Sequence, residues 1–156
     1  MTNADAGWAY ALVDEGCQML SLLAHRGLSH EFVRTASRLP WPMDKDCVVE
    51  AERLLVRQVA DHPDGDFKNA LAGEGLRVVV TVPLTAKGRT LGVIGLGTRA
   101  QRSFSQEELT LLAATGQQIG VALENARLYQ KAEESAAAAE RSRLARDLHD
   151  AVTQTL

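Results

Sequence analysis

The final third of the chain contains no proline. All four prolines (Pro40, Pro42, Pro63 and Pro83) precede it. Proline is the residue a helix interior excludes, because it lacks the amide proton and its ring strikes the preceding turn. Ser105-x-x-Glu108 opens this stretch as a capping box, in which the serine oxygen takes one orphan amide and the glutamate reaches back to another. Behind it Leu109, Leu112, Gly116, Ile119, Leu123 and Ala126 recur at spacings of three and four, a heptad-like seam. Glu133 to Glu140 (EESAAAAE) is rich in strong helix formers. Together these predict one helix over 106–156, roughly 75 Å long at 1.5 Å per residue. A small domain cannot cover a helix of that length. Its seam calls for a partner, most simply a second copy of the chain.

The first two thirds read differently. Trp8 to Val13 alternates bulky and small residues, Asp14-Glu15-Gly16 is a turn, and Cys17 to Ala24 is a second apolar run ended by Arg26-Gly27, which together make a β-hairpin. Ser29 reads as an N-cap, with Phe32, Val33, Ala36 and Leu39 at helical spacing behind it. Leu39-Pro40-Trp41-Pro42 breaks that helix. A short helix is predicted over Asp46 to Arg53, a strand over Leu54 to Val59, a loop over Asp61 to Gly65 and a short helix over Phe67 to Leu71. Arg77 to Leu84 (RVVVTVPL) and Leu91 to Leu96 (LGVIGL) flank the turn at Lys87-Gly88. Their lack of charge predicts a hairpin at the centre of a sheet. Glycines 92, 95 and 97 imply that something approaches this backbone closely.

With 46% hydrophobic and 24% charged residues among 156, a real core is possible. A net charge of -3 with scattered basic residues argues against a nucleic-acid surface. The longest apolar run is far short of the ~18 residues that cross a bilayer, and no secretory signal is legible. The chain is therefore expected to be cytoplasmic, with no membrane segment. Cys17 and Cys47 are the only cysteines, are far apart and show no metal-type spacing, so no metal site is expected.

The element order resembles the GAF domain family. Val82-Pro83-Leu84, Gly88 and Leu91-Gly92-Val93-Ile94 look like its central hairpin. Phe104-Ser105-x-Glu107-Glu108-Leu109-x-Leu111-Leu112 and Ala122-Leu123-Glu124-Asn125-Ala126 look like its C-terminal helix. The resemblance implies an α+β fold, an α/β sandwich whose central antiparallel sheet is flanked by helices, with a long C-terminal signalling helix. It places the sensory domain over 6–130. It also implies a small-molecule pocket near Phe32, Trp41, Leu54 and Phe67; the plainer alternative is that these residues are ordinary core.

Glu140 to Leu156 (ERSRLARDLHDAVTQTL) is similar to the dimerisation and phospho-acceptor helix of the nitrate-sensor-like class of histidine kinases. Residues 131–156 are then a linker and the first, truncated part of that helix. The resemblance makes His149 the phospho-acceptor, Asp150 its acid/base neighbour and Gln154 the residue that positions water for phosphatase activity. Geometry agrees: at about 100° per residue Leu144, Leu148, Ala151, Val152 and Thr155 share one stripe, and His149 lies roughly 115° from its centre, facing solvent. A parent protein of this class is a two-component sensor histidine kinase. It uses ATP and Mg, works as a homodimer and passes phosphate to a response regulator. No nucleotide-binding pattern occurs in these 156 residues, so the chain alone is expected to be inactive.

The sequence names no ligand or cofactor. Some related domains bind haem, whose iron most often takes a histidine. His25 and His30 are the candidates near the implied pocket, and His62 beside Pro63 reads as a loop residue. A bilin needs a reactive cysteine in a motif absent here. A sulfoxide reductase of this fold needs a nucleophilic cysteine with a resolving partner. The alternative to a kinase input module is a stand-alone GAF ligand-binding or dimerisation module, a haem-based gas sensor among the options.

Overall fold

A computed structural model describes residues 3–14, 17–41 and 53–155. Strands β1 (Ala6–Asp14) and β2 (Cys17–Arg26) form the first hairpin. Helix α1 (His30–Ala36) leads to the short strand β3 (Arg38–Pro40). Strand β4 (Leu55–Gln58), a 3₁₀ turn (Val59–Asp61) and helix α2 (Asp66–Gly73) follow. The second hairpin is β5 (Val78–Ala86) and β6 (Arg89–Thr98), and helix α3 (Gln106–Thr155) ends the chain. Of the helix predicted over Asp46 to Arg53, all but Arg53 lies outside the described residues, and Arg53 is a bend.

All six strands join one antiparallel sheet in the order β3-β2-β1-β6-β5-β4. The hairpin predicted at the centre is thus half right. β6 pairs with β1 in mid-sheet, whereas β5 lies one strand in from the edge. Its turn is well chosen: Lys87 and Gly88 have φ of 52° and 72°, the two positive values a two-residue hairpin loop needs to match strand twist. Leu39, expected at the end of α1, instead sits in β3 opposite Leu20. Pro40 disfavours helical geometry in the residue before it, and a proline is tolerated on an edge strand because no ladder amide is required there.

The sheet buries both faces. One carries Trp8, Tyr10, Leu20, Val79 and Val93 and packs with Phe32 and Ala36 of α1 and Leu71 of α2. Three rings tie these elements together. Trp8 lies 5.7 Å from Phe32 and 6.5 Å from Phe67, and Phe32 lies 6.3 Å from Phe67, within the range where aromatic pairs add to plain burial. Gly95 is the close approach foreseen in the sequence: a Cβ there would lie 2.1 Å from the Trp8 indole. The Tyr10 hydroxyl donates to the Ala36 carbonyl at 2.5 Å, fixing the end of α1 to β1.

The start of α1 is held by a second set of bonds. Ser29 caps it, accepting from the Phe32 amide at 3.2 Å, as its sequence position predicted. Its own amide and hydroxyl donate to the Glu74 carboxylate beyond α2. Arg99, after β6, donates to the Glu74 carbonyl at 2.9 Å and its amide to Asp5 at 2.7 Å.

The chain divides into two compact units, residues 1–121 and 122–156. In the first, the opposite sheet face carries Val80, Val82 and Leu84 and receives the opening turns of α3. The predicted capping box is present: the Glu108 amide donates to Ser105 Oγ at 3.2 Å and the Ser105 amide to Glu108 at 2.9 Å. That backbone bond, with Arg102 alongside, holds the Glu108 carboxyl below its usual range. A Cβ at Gly116 would lie 2.6 Å from the Pro83 oxygen, and one at Gly120 2.3 Å from the Thr85 oxygen. The helix backbone therefore lies directly on β5. This corrects the heptad reading at Gly116, which is a sheet contact rather than a position of an interhelical seam. The large apolar residues left exposed here are Leu111 and Val121.

In the second unit α3 continues as helix, and every described residue from Leu128 onward is exposed. Arg143 bridges Glu140 and Asp147, each at 2.7 Å. The pairing with Arg143 lowers the Glu140 carboxyl below its ordinary range.

Two outcomes test this packing. In an exposed helix Gly→Ala stabilises by about 1 kcal/mol. Gly120→Ala is expected instead to destabilise by about 1–3 kcal/mol through backbone overlap, measured by urea denaturation. Burial pushes the Tyr10 phenol well above its ordinary value. Above pH about 10 the unfolded chain ionises this tyrosine while the folded one keeps the proton, so stability falls as pH rises. Tyr10→Phe is expected to cost about 1–3 kcal/mol at pH 8, where it orphans the Ala36 carbonyl, and to abolish that part of the alkaline loss when the comparison is repeated at pH 11.

Candidate ligand cavity and phospho-acceptor helix

Between the sheet and its α1/α2 face lies a cavity of about 310 Å³. Its floor is Leu55 and Arg57 of β4 with Thr81 of β5. Leu55 and Thr81 are register partners, and Arg57, two residues along β4, shares their face because side chains alternate along a strand. One wall is Arg38, Leu39 and Pro40 of β3. The other is the loop from His62 to Gly65, with Asp66 and Phe67 opening α2 and Thr35 of α1 above. β3 and β4 are the two outermost strands of the sheet. For both to line one cavity the sheet must curl, as the right-handed twist of successive strands favours.

The residues expected around the pocket are spread over the core. Phe67 lines the cavity, and its ring meets His62 edge-on at 6.0 Å. Phe32 belongs to the aromatic core and borders a separate hollow of about 240 Å³ between α1 and α2. Trp41 packs against the same core, its amide donating to Gln18 at 2.7 Å. Leu54 precedes β4, and its neighbour Leu55 supplies the floor.

His25 and His30 are exposed and neither lines the cavity. His25 stands near the far end of β2, opposite Trp8. The histidine that does line the cavity is His62, only 8% exposed. Sequence reasoning reads it as a loop residue. No local sequence signal marks it, because its burial comes from the ring of Phe67, five residues on, packing against it. A cavity of this size, without His25 or His30 in it, does not fit haem ligation by either residue. Among the described residues no three His, Cys, Asp or Glu side chains gather as a metal site. Cys47 and the side chain of Cys17 lie outside the description, and with them the sulfoxide-reductase reading.

On α3, His149, Asp150 and Gln154 are all exposed. His149 and Asp150 are adjacent, and Gln154 follows Asp150 by one helical turn. Leu144, Leu148 and Val152 are also open to solvent, at 47%, 67% and 60%. No described helix is long and apolar enough to cross a membrane.

The sequence model of the GAF domain matches residues 1–124. The chain belongs to the GAF domain family. The sensor histidine kinase YhcY of Bacillus subtilis is 28% identical over the whole of this chain, which spans 42% of that protein. The chain thus covers less than half of its curated relative. Two solved structures share the fold. One is a domain assigned to a two-component sensor histidine kinase of Sinorhizobium meliloti 1021 (21% identity, TM-score 0.67, 85% of this chain and 87% of that one). The other is the GAF domain of a two-component sensor histidine kinase from Bacillus halodurans (21%, TM-score 0.65, 83% and 88%). The GAF fold expected from the sequence, with its antiparallel sheet, flanking helices and long C-terminal helix, is the fold observed.

The exposures of the four histidines give a direct check. Diethylpyrocarbonate is expected to modify His25, His30 and His149 in the folded chain while His62 is protected until denaturant is added, read by peptide mass spectrometry. Modification of His62 at the rate of His149 would contradict the cavity wall described here.

Proposed function

We propose that this GAF unit is the sensory input of a two-component sensor histidine kinase, in which the occupant of the β3–β4–α2 cavity sets how readily His149 is phosphorylated. The observation that carries the reading is the match to a sensor histidine kinase over the full length of the chain, α3 included. The ERSRLARDLHDAVTQTL segment on that helix, with its exposed histidine, supports it.

The chemistry follows from the neighbours. A neutral imidazole nitrogen of His149 attacks the γ-phosphorus of Mg-bound ATP; the P–N bond forms, the bond to the bridging oxygen breaks and ADP leaves. The Asp150 carboxylate holds the proton on the other ring nitrogen and stabilises the cation. The phosphoryl group then passes to an aspartate of a response regulator. The Gln154 amide orients water against the aspartyl phosphate without itself becoming charged. An exposed helical histidine suits this sequence, because two different domains must reach it in turn.

Leu144, Leu148 and Val152 form an apolar stripe at helical spacing, which we assign to pairing with a second copy. ATP comes from a nucleotide-binding domain in a longer protein, and the setting is the cytoplasm. Residues 6–130 sense, and 131–156 link to and begin the dimerisation helix. The cavity is the sensory site because it is lined by both outermost strands, so its contents bear on the curl of the sheet on which α3 rests.

In a longer protein carrying the nucleotide-binding domain, His149→Gln is expected to reduce transfer from radiolabelled ATP to background. Gln154→Ala is expected to leave that transfer intact and to slow dephosphorylation of the response regulator by about tenfold, or about 1.4 kcal/mol in the barrier. Label persisting in the His149→Gln protein would overturn the assignment.

A further inference from the structure

We infer that the cavity binds a small organic anion, a carboxylate or phosphate monoester with a compact apolar body, gripped between Arg38 and Arg57. The inference rests on the reading of this cavity as the sensory site. Arg38 comes from β3 and Arg57 from β4, strands at opposite ends of the sheet order. The curl of the sheet brings both guanidinium-bearing side chains onto one cavity of about 310 Å³. Two like charges facing one largely apolar, half-open cavity repel. An anion between them turns that repulsion into two attractions. The rest of the lining, Leu39, Leu55 and Phe67 above all, offers an apolar body its own burial.

The acidic groups at the cavity among the described residues do not reverse this. The Asp64 side chain is 98% exposed and is paired with Lys68 at 2.9 Å. Asp66 is exposed and opens α2, where a carboxylate suits the unsatisfied amides of a helix start. Both are exposed, as is Arg38, whereas Arg57 on the floor is half-buried. Arg57 also keeps an interaction of its own in the structure. Its five N–H donors in a planar fork can serve an anion as well. Arginines on edge strands also guard against strand-to-strand aggregation. That role needs no ligand and predicts no ligand preference.

The test uses the chain itself, with isosteric probes titrated by NMR: benzoate, phenyl phosphate, neutral benzamide and cationic benzylammonium. Benzoate or phenyl phosphate is expected to bind at least about tenfold more tightly than benzamide, because charge-assisted bonds are roughly twice as strong as neutral ones. Benzylammonium is expected not to bind. The tighter of the two anions identifies the head group. Arg57→Gln is expected to abolish the preference for the acid and Arg57→Lys to keep part of it, with thermal melts confirming that both variants fold. Equal binding of acid and amide, preference for the cation, no binding of either anion, or an unchanged preference in Arg57→Gln would each overturn the proposal. The sensory reading fails separately: it falls if a saturating anion binds in the cavity but leaves phosphorylation of His149 in the longer protein unchanged.

Discussion

The structure depends on a backbone-to-backbone contact. Gly116 and Gly120 have no side chain, so α3 lies directly against the carbonyls of Pro83 and Thr85 on β5. A helix held through side chains can slip or rotate as rotamers change. One seated on a strand backbone has no such slack, and close-packed interiors pass strain on rather than absorb it. β5 pairs with β4 on one side and β6 on the other. The strand that α3 rests on is therefore the one that flanks the cavity floor.

That floor exists because the sheet curls. The two faces divide the packing between them. The aromatic triad of Trp8, Phe32 and Phe67 holds α1 and α2 on one, and the valines of β5 meet α3 on the other. Tyr10, Ser29, Glu74 and Arg99 pin the ends of the elements by hydrogen bonds, and among the described residues the cavity of about 310 Å³ lies on the β3–β4 side. The aromatic core thus lies over β1 and β6 in mid-sheet, and the cavity lies toward the outermost strands.

Much of the fold was legible because its signals are local. Ser29 and Ser105 announce helix starts by capping chemistry, Lys87-Gly88 announces its turn, and the unbroken stretch after Ser105 announces α3. What escaped the sequence is set by long-range geometry. Leu39 looks helical by spacing, yet its fate is decided by pairing with Leu20, nineteen positions before it in the chain. Gly116 reads as one position of a heptad-like seam until the carbonyl of Pro83 is seen beneath it. Of the pocket only Phe67 and the neighbourhood of Leu54 were named, because Arg38 and Arg57, from opposite ends of the sheet order, meet one cavity only through curl. His62, a loop residue by sequence, is placed by the fold against Phe67. The resemblance of Glu140 to Leu156 to a phospho-acceptor helix rests likewise on a contiguous pattern, which needs no tertiary contact to be read.

The central claim is that the state of the cavity governs the chemistry at His149. The most direct test is the rate of His149 phosphorylation in a longer protein whose cavity has been filled from the floor by Leu55→Trp, with a thermal melt to confirm folding. Coupling of ordinary size predicts a rate at least about fivefold different from wild type and no longer responsive to anions. A folded Leu55→Trp protein that phosphorylates His149 at the wild-type rate, and responds as wild type does, would contradict it.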